Sequence, residues 1–326
     1  MELFTKAELP RSGIKIDYTR KLAFFGSCFA DNISSKFESR KFAVLANPFG
    51  TVYNPVSIAR LLRDLADGKV YGEADVFEDR RCGGLWHCWG AHGSLSALTR
   101  ESCIEKLNRA SAGAREFLKQ ADTVFVTLGS SFVYTLKETG EVVANCHRQD
   151  PALFDRRRIS VGEAARSIQE IASSLREIQK DCAIVFTVSP IRHLGDGTHG
   201  NNLSKATLLL ATDEAIRELS SEGSPRTEYF PSYEIAMDEL RDYRFYESDM
   251  VHLSGTAEEI IFERMVETYC DKATGENIVR VEKFMKGANH RIQDSSAPAT
   301  QEFLKKLKEQ AKVLELQIPG LRLNIG

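Results

Sequence analysis

A cysteine closes the tripeptide Gly26-Ser27-Cys28, and an Asp-x-x-His pair, Asp249 and His252, stands more than two hundred positions later. The apolar run Leu22-Ala23-Phe24-Phe25 ends at Gly26, and an amphipathic helical pattern starts almost at once. A small reactive side chain is thereby placed at the carboxyl end of a buried strand and at the mouth of a helix, where open α/β sheets bind ligands. Helix amides there favour negative charge, so the Cys28 thiol is expected to ionise more easily than a free one. Its competing role is that of a buried small hydrophobe, the usual fate of a free cysteine. The strand-end position and the distant Asp-x-x-His favour a nucleophile. Ser27 is expected to turn toward the sheet or cap the helix. A carboxylate three residues before an imidazole can fix its tautomer while the other ring nitrogen faces a nucleophile. The alternative leaves Asp249 capping a turn and His252 as an ordinary histidine.

Three more segments concentrate small or titratable residues at turns after strands: Asn47-Pro48-Phe49-Gly50, Gly129-Ser130-Ser131 and Ser189-Pro190-Ile191-Arg192-His193. Glycine lets backbone amides approach a ligand, and such amides form oxyanion holes. Arg192 and His193 fall on the same rim as Cys28, suited to gripping a carboxylate, phosphate or sugar group, with an ordinary salt bridge as the alternative. Asn145-Cys146-His147 either folds over the crevice or forms a polar loop. Cys82, His87, Cys88 and His92 lack the paired short spacings of structural zinc sites, so no metal is expected. Trp86 and Trp89 suit a sugar-stacking wall or a small satellite core equally. The dinucleotide and phosphate-loop glycine motifs do not occur, and no cofactor is expected. Arg156-Arg157-Arg158 reads as a solvated approach to a helix.

To position these residues, strand-like and helix-like stretches alternate. Strands are expected at Leu22–Phe25, Phe42–Leu45, Thr123–Leu128, Ala183–Ser189 and Thr227–Phe230. Helices are expected over 30–40, 54–65, 101–120, 162–180, 204–221 and 254–269. Short apolar strands separated by helices predict a three-layer α/β/α sandwich on a mostly parallel, five-stranded flavodoxin-like sheet of order 2-1-3-4-5. Two insertions interrupt the alternation, one near 70–97 and a hairpin over 132–146. Residues 1–274 read as one domain. A polar, basic C-terminal appendage, 275–326, holds a loop over 287–300 and a charged helix over 301–316, and either packs on the domain or lies loose.

The chain has 326 residues, of which 42% are hydrophobic, enough for a full core. A net charge of −3 gives no general attraction to nucleic acid or to an anionic membrane. No apolar run approaches a membrane span, and the first residues do not form a secretory signal. Seven scattered cysteines do not read as a disulfide framework, so a reduced cytoplasmic setting is expected.

Gly26-Ser27-Cys28-Phe29-Ala30 resembles the signature of the GSCFA family, which belongs with the SGNH (GDSL-like) hydrolases. Thr127-Leu128-Gly129, Val143-Ala144-Asn145-Cys146-His147, Thr187-Val188-Ser189-Pro190 with Arg192-His193, and Asn202-Leu203-Ser204-Lys205 are similar to that family too. The resemblance spans roughly residues 15–270. It implies that Cys28 takes the nucleophile place of the Gly-Asp-Ser block, with Ser27 in the Asp place or serving as nucleophile itself. It implies Gly50 for the second block, Gly129 and Ser131 for the third, and Asp249 and His252 for the fourth. Ser131 stands where an oxyanion-hole asparagine is usual, a role Asn47 or a backbone amide could fill. The implied activity is a cofactor-independent esterase or acyl hydrolase acting on a small-molecule or carbohydrate ester, with Arg192, His193, Asn145 and His147 on the substrate. An acyltransferase, or an idle carbohydrate- or metabolite-binding protein, remains the alternative. The oligomeric state is open.

Overall fold

The computed structural model describes residues 5–79, 83–221, 226–289 and 297–323. Strand β1 (Lys21–Gly26) leads into α1 (Cys28–Ser39), and β2 (Ala43–Ala46) leads into α2 (Pro55–Ala66). A small hairpin, β3 (Phe77–Asp79) with β4 (Leu85–His87), precedes α3 (Arg100–Leu118) and β5 (Thr123–Leu128). Then come β6 (Phe132–Leu136), β7 (Val142–Val143) and β8 (Phe154–Arg158), followed by α4 (Val161–Ile178), β9 (Ala183–Val188), α5 (Gly197–Ser221) and β10 (Thr227–Tyr229). The chain closes through the short turn α6 (Ser232–Glu234), α7 (Gly255–Tyr269), α8 (Lys272–Ala288) and α9 (Pro298–Gln317).

The main sheet has the order β2-β1-β5-β9-β10, and every pairing in it is parallel. That is the expected order 2-1-3-4-5. Its strands bury both faces because their side chains alternate between two apolar clusters. Ala23 and Phe25 of β1 join Val124, Val126, Ile184 and Phe186 under α2, α3, α4 and α5. Leu22 and Phe24 face the other way, with Phe125 and Val185, toward α1 and α7. The register sets Gly26 opposite Thr127 and Leu128 opposite Val188, so the strand-end turns after β1, β5 and β9 emerge along one edge. The chain leaves β1 toward β2 on one side and, through β5, toward β9 on the other, which opens a crevice between the first two turns.

Three sequence readings change. The Arg156-Arg157-Arg158 run is exposed and leads to α4, but it is also a strand: it forms most of β8, which pairs antiparallel with β6 in a three-stranded sheet of order β7-β6-β8. The insertion therefore extends past 146. Helix α5 starts at Gly197, seven residues before the apolar periodicity becomes readable. The polar stretch after 271 holds α8, capped by the Asp271 side chain, which accepts from the Thr274 amide at 2.7 Å. Ile278, Val281 and Phe284 of α8 and Leu307 and Ala311 of α9 are buried in the same cluster as Phe24 and Phe262, so this segment packs on the domain. The expected loop over 287–300 falls partly outside the described residues. Among the described residues no helix is long and apolar enough to cross a membrane.

Candidate active site

The turn after β1 has little freedom. Gly26 has φ +134°, and a Cβ built on it would stand 2.1 Å from the Thr127 carbonyl oxygen of the neighbouring strand. Ser27 then occupies the N-cap position of α1 in an extended conformation, its amide donating to that same oxygen at 3.2 Å. The Ser27 side chain makes no cap hydrogen bond, and its buried Oγ has no hydrogen-bond partner. Cys28 is the first residue of α1 and is half-buried. The amides of Cys28 and Phe29 donate toward its sulfur and, with Lys205, favour the thiolate. Burial first, and then the charge of Asp31, outweigh them, so the thiol titrates above its ordinary value. The expectation of an easily ionised thiol is thus corrected: the helix amides are in place, but desolvation is the larger effect.

The second turn is tied to the first. The Asn47 Oδ1 accepts from the Gly26 amide at 2.8 Å, and its Nδ2 donates to Asp31 at 2.7 Å. Thr51 Oγ1 donates to the other Asp31 oxygen at 3.1 Å. The Gly50 amide donates to the Asn47 carbonyl at 2.7 Å, and the Gly129 amide to the Tyr53 carbonyl at 2.7 Å. Ser131 is fully buried, and both its amide and its Oγ donate to Ser204 Oγ, at 2.8 and 3.1 Å. The donors of Asn47, Gly50, Gly129 and Ser131 are therefore all engaged within the protein. These four residues hold the turns in place, and the amides aimed at the sulfur are those of Cys28 and Phe29.

Asp249 and His252 form a pair, with Nδ1 and Oδ2 separated by 2.6 Å. The other Asp249 oxygen accepts from the Val251 and His252 amides, each at 2.9 Å. These bonds, the imidazole's foremost, pull the Asp249 carboxyl down to about 2. Nδ1 is thereby committed to Asp249, while Nε2 has no partner among the described residues. The pair lies just before α7, whose cap is Ser254. Helix α7 leans on α1: Asn32 donates to Glu258, and Lys36 reaches the Gly255 carbonyl at 3.4 Å. His252 lies within electrostatic reach of Glu258, and Asn32 is one helical turn beyond Cys28 on the same face of α1. Glu258 thus links the start of α7 to α1, and no hydrogen bond joins thiol and imidazole.

On the opposite side of the turns lies a lysine that sequence reading gave no role. Lys205 Nζ donates to the Gly129 carbonyl at 2.7 Å and to the Ser189 carbonyl at 2.6 Å. His193 is half-exposed, its Nδ1 3.2 Å from Asp196, its ring 6.4 Å from that of Tyr53. Burial, then Arg156 and Lys205, hold its imidazole below the ordinary value. Arg192 donates to Asn202 at 2.9 Å and rests on Met237. Arg156 of β8, to which the sequence gave no part in the site, lies over the Phe132 ring at 4.0 Å, bonds Tyr134 and pairs with Asp196. It carries the inserted sheet toward the turn after β9.

The remaining candidates lie elsewhere. His147 is buried, donates from Nε2 to the Cys88 carbonyl at 2.8 Å, and stacks on His87 at 4.4 Å. Burial holds it at about 4, so it stays neutral. The Asn145 side chain accepts from the His147 amide. Trp89 stacks on Phe77 and packs against Leu136, Val143 and Phe154, so of the two readings for this tryptophan the satellite core applies. Cys82 lies outside the described residues. Among the described residues no cluster of His, Cys, Asp and Glu could hold a metal ion.

The sequence model of the GSCFA family matches residues 21–265. The chain belongs to the GSCFA family. A search of curated proteins finds no match. Among solved structures, this GSCFA chain is similar to a family two carbohydrate esterase from Clostridium thermocellum in complex with cellohexaose, at 12% identity and a TM-score of 0.37, covering 76% of this chain and 62% of that one. It is similar to an acetyl xylan esterase, Est2A, from Butyrivibrio proteoclasticus, at 14% identity and a TM-score of 0.40, covering 77% and 63%. A carbohydrate esterase family 3 protein from Talaromyces cellulolyticus follows, at 9% identity and a TM-score of 0.35, covering 81% and 98%. The chain therefore spans less than two thirds of the first two.

Proposed function

We propose that this GSCFA protein is an SGNH-like acyl-ester hydrolase with Cys28 as nucleophile and His252, oriented by Asp249, as its base. The observation that carries the reading is the half-buried sulfur at the sheet's carboxyl edge with two helix-start amides aimed at it. Negative charge grows in that place when a thiolate adds to an acyl carbon, and preorganised donors there lower the barrier. His252 Nε2 takes the Sγ proton, and sulfur bonds to the acyl carbon. The oxyanion is held by the Cys28 and Phe29 amides. Collapse breaks the ester C–O bond, and His252 returns the proton to the leaving alkoxide. Water, deprotonated by the same imidazole, then adds to the thioester carbon, the C–S bond breaks to release the acid, and the imidazole returns its proton to Sγ. The gap between thiol and imidazole closes on substrate binding, as catalytic hydrogen bonds often tighten only in the complex. An acylated carbohydrate suits the ring face of Tyr53 and the donors of Arg192 and His193 along the same rim.

Incubation with p-nitrophenyl acetate near pH 7.5 should leave an acetyl group on the peptide carrying Cys28, detected by mass spectrometry after acid quench. Acetyl on Ser27 instead would move the nucleophile by one residue. The raised thiol and its missing hydrogen bond to His252 favour a second reading, an idle binding protein, and a Cys28 that stays unmodified under every ester tried would establish it. Asp249→Asn keeps the shape of the turn but weakens control of the tautomer, so kcat/KM is expected to fall by about 10²–10³-fold. Activity unchanged in this variant would remove Asp249 from the mechanism.

A further inference from the structure

We propose that Lys205 is the counter-charge of Cys28: an ammonium buried under the crevice that stabilises the thiolate once the nucleophile has lost its proton. The inference deepens the reading of Cys28 as a nucleophile and rests on it.

Lys205 is 1% exposed, among the most deeply buried large side chains in the molecule. Lysine is seldom buried without a carboxylate partner. Here, among the described residues, no carboxylate lies within ion-pair distance of Nζ. Its acceptors are the carbonyls of Gly129 and Ser189. A neutral amine has two N–H groups, and those two carbonyls satisfy both. An ammonium has a third N–H and a full charge, which this surrounding leaves unanswered. Its tie to the sulfur runs through Gly129, whose carbonyl it holds and whose Cα lies so close to the start of α1 that a Cβ built there would stand 3.2 Å from the Ser27 Cβ. The charged groups that act on it are Cys28 on α1 and Arg192 after β9, while His193 feels both Lys205 and Arg156 of β8. Of these, only Cys28 can become negative. Asp31, one turn along α1, faces the thiol and is bonded to Asn47 and Thr51.

Two arrangements of the pair are balanced: amine with thiol, and ammonium with thiolate. They differ by the position of one proton and carry the same net charge. Either mixed arrangement leaves a single charge buried, which is costly. Burial brings Lys205 down to about 7, with Cys28 acting to raise it again, so the amine and the ammonium are both accessible near neutral pH. A purely structural lysine would need only to bridge the turns after β5 and β9, which the neutral amine already does. The cation adds something the bridge does not require. Lys205 is accordingly a positioning residue that acts through the sulfur: already an ammonium, it faces the charge left on Sγ when His252 takes the proton.

Two measurements on the full chain test this, and neither uses ester turnover. First, iodoacetamide alkylation of the Cys28 peptide is followed against pH. In Lys205→Met the midpoint should rise by about one unit, and labelling at pH 7 should slow about tenfold. Second, coupling is reciprocal. In protein labelled with ¹³C-lysine, the Lys205 Cε titration should therefore move to lower pH in Cys28→Ala than in the unmodified chain. An unmoved Cys28 midpoint in a Lys205→Met protein with a native circular dichroism spectrum would overturn the proposal. So would a Lys205 midpoint that is the same with and without the sulfur. Should Lys205→Met fail to fold, the Cys28→Ala titration decides alone. A reciprocal shift without any acetyl-Cys28 would uphold the charge pair and end the hydrolase reading. The opposite result would do the reverse.

Discussion

Cys28→Ala is expected to lower kcat/KM for a simple acyl ester by about 10³–10⁵-fold, while Ser27→Ala stays within about tenfold of the unmodified chain. The difference comes from the turn. Ser27 Oγ is buried without a hydrogen-bond partner, behind a residue whose backbone is tied to Thr127. Cys28 is one residue further, half-exposed at the helix mouth and facing two amides. Removing the sulfur removes the covalent step and leaves only binding and the oxyanion donors. The pH profile carries a second part of this prediction. Because burial and Asp31 raise the thiol, the neutral form dominates at pH 7, and kcat/KM should climb as pH rises through the alkaline range. Asp249, held at about 2, stays ionised throughout and contributes no limb of its own above pH 4. Full activity in Cys28→Ala, with loss in Ser27→Ala, would reassign the nucleophile.

What could be read from the sequence was local. Val124 and Val126 on one face of β5 and Phe125 on the other make a short run buried on both sides, and such runs declare parallel strands. Asn54 before Pro55 announces α2, and the structure shows its side chain accepting from Ser57. The Asp249–His252 bond follows from a spacing of three within one turn, and Gly26 follows from the abrupt end of an apolar run. What could not be read depends on partners far along the chain. Lys205 looks like one more solvated cation on a helix until β5 and β9 bring two carbonyls to its amine. Arg156 is one of three arginines in sequence, and only the pairing of β8 with β6 turns it toward Asp196. Helix α8 hides because Ile278, Val281 and Phe284 form a narrow stripe among charged neighbours. The glycines of the rim were legible as close approaches, yet which amides stay available was not, since Tyr53 and Asn47 take those of Gly129 and Gly50. The thiol's titration was missed for a similar reason: the helix amides are visible in sequence, whereas burial is a property of the assembled layers.

The turn that presents Cys28 yields the largest expected loss of stability. Gly26→Ala forces a Cβ to 2.1 Å from the Thr127 carbonyl oxygen and 2.8 Å from its carbon, both backbone atoms of a central strand. Neither can swing aside as a side chain would. The residue also has φ +134°, which an L side chain rarely adopts. Strained backbone costs of order 1–3 kcal/mol, and overpacking costs about as much again. A loss of about 4 kcal/mol is expected, or roughly 8–16 °C in Tm for a chain of this size class. Gly140→Ala provides the comparison. Its φ is +72°, but a Cβ there meets nothing within 4 Å, so only the backbone strain applies and about 1 kcal/mol is expected. Thermal melts of the two variants separate clash from conformation. Gly26→Ala should also lose ester turnover beyond what its folded fraction explains. The only relief is for β1 to draw away from β5, which displaces Ser27, the start of α1 and the sulfur together, and a shift of about 1 Å at a reacting atom costs roughly 10²-fold. Equal melts for Gly26→Ala and Gly140→Ala would mean that the end of β1 can yield, and the rigid presentation of Cys28 would have to be given up.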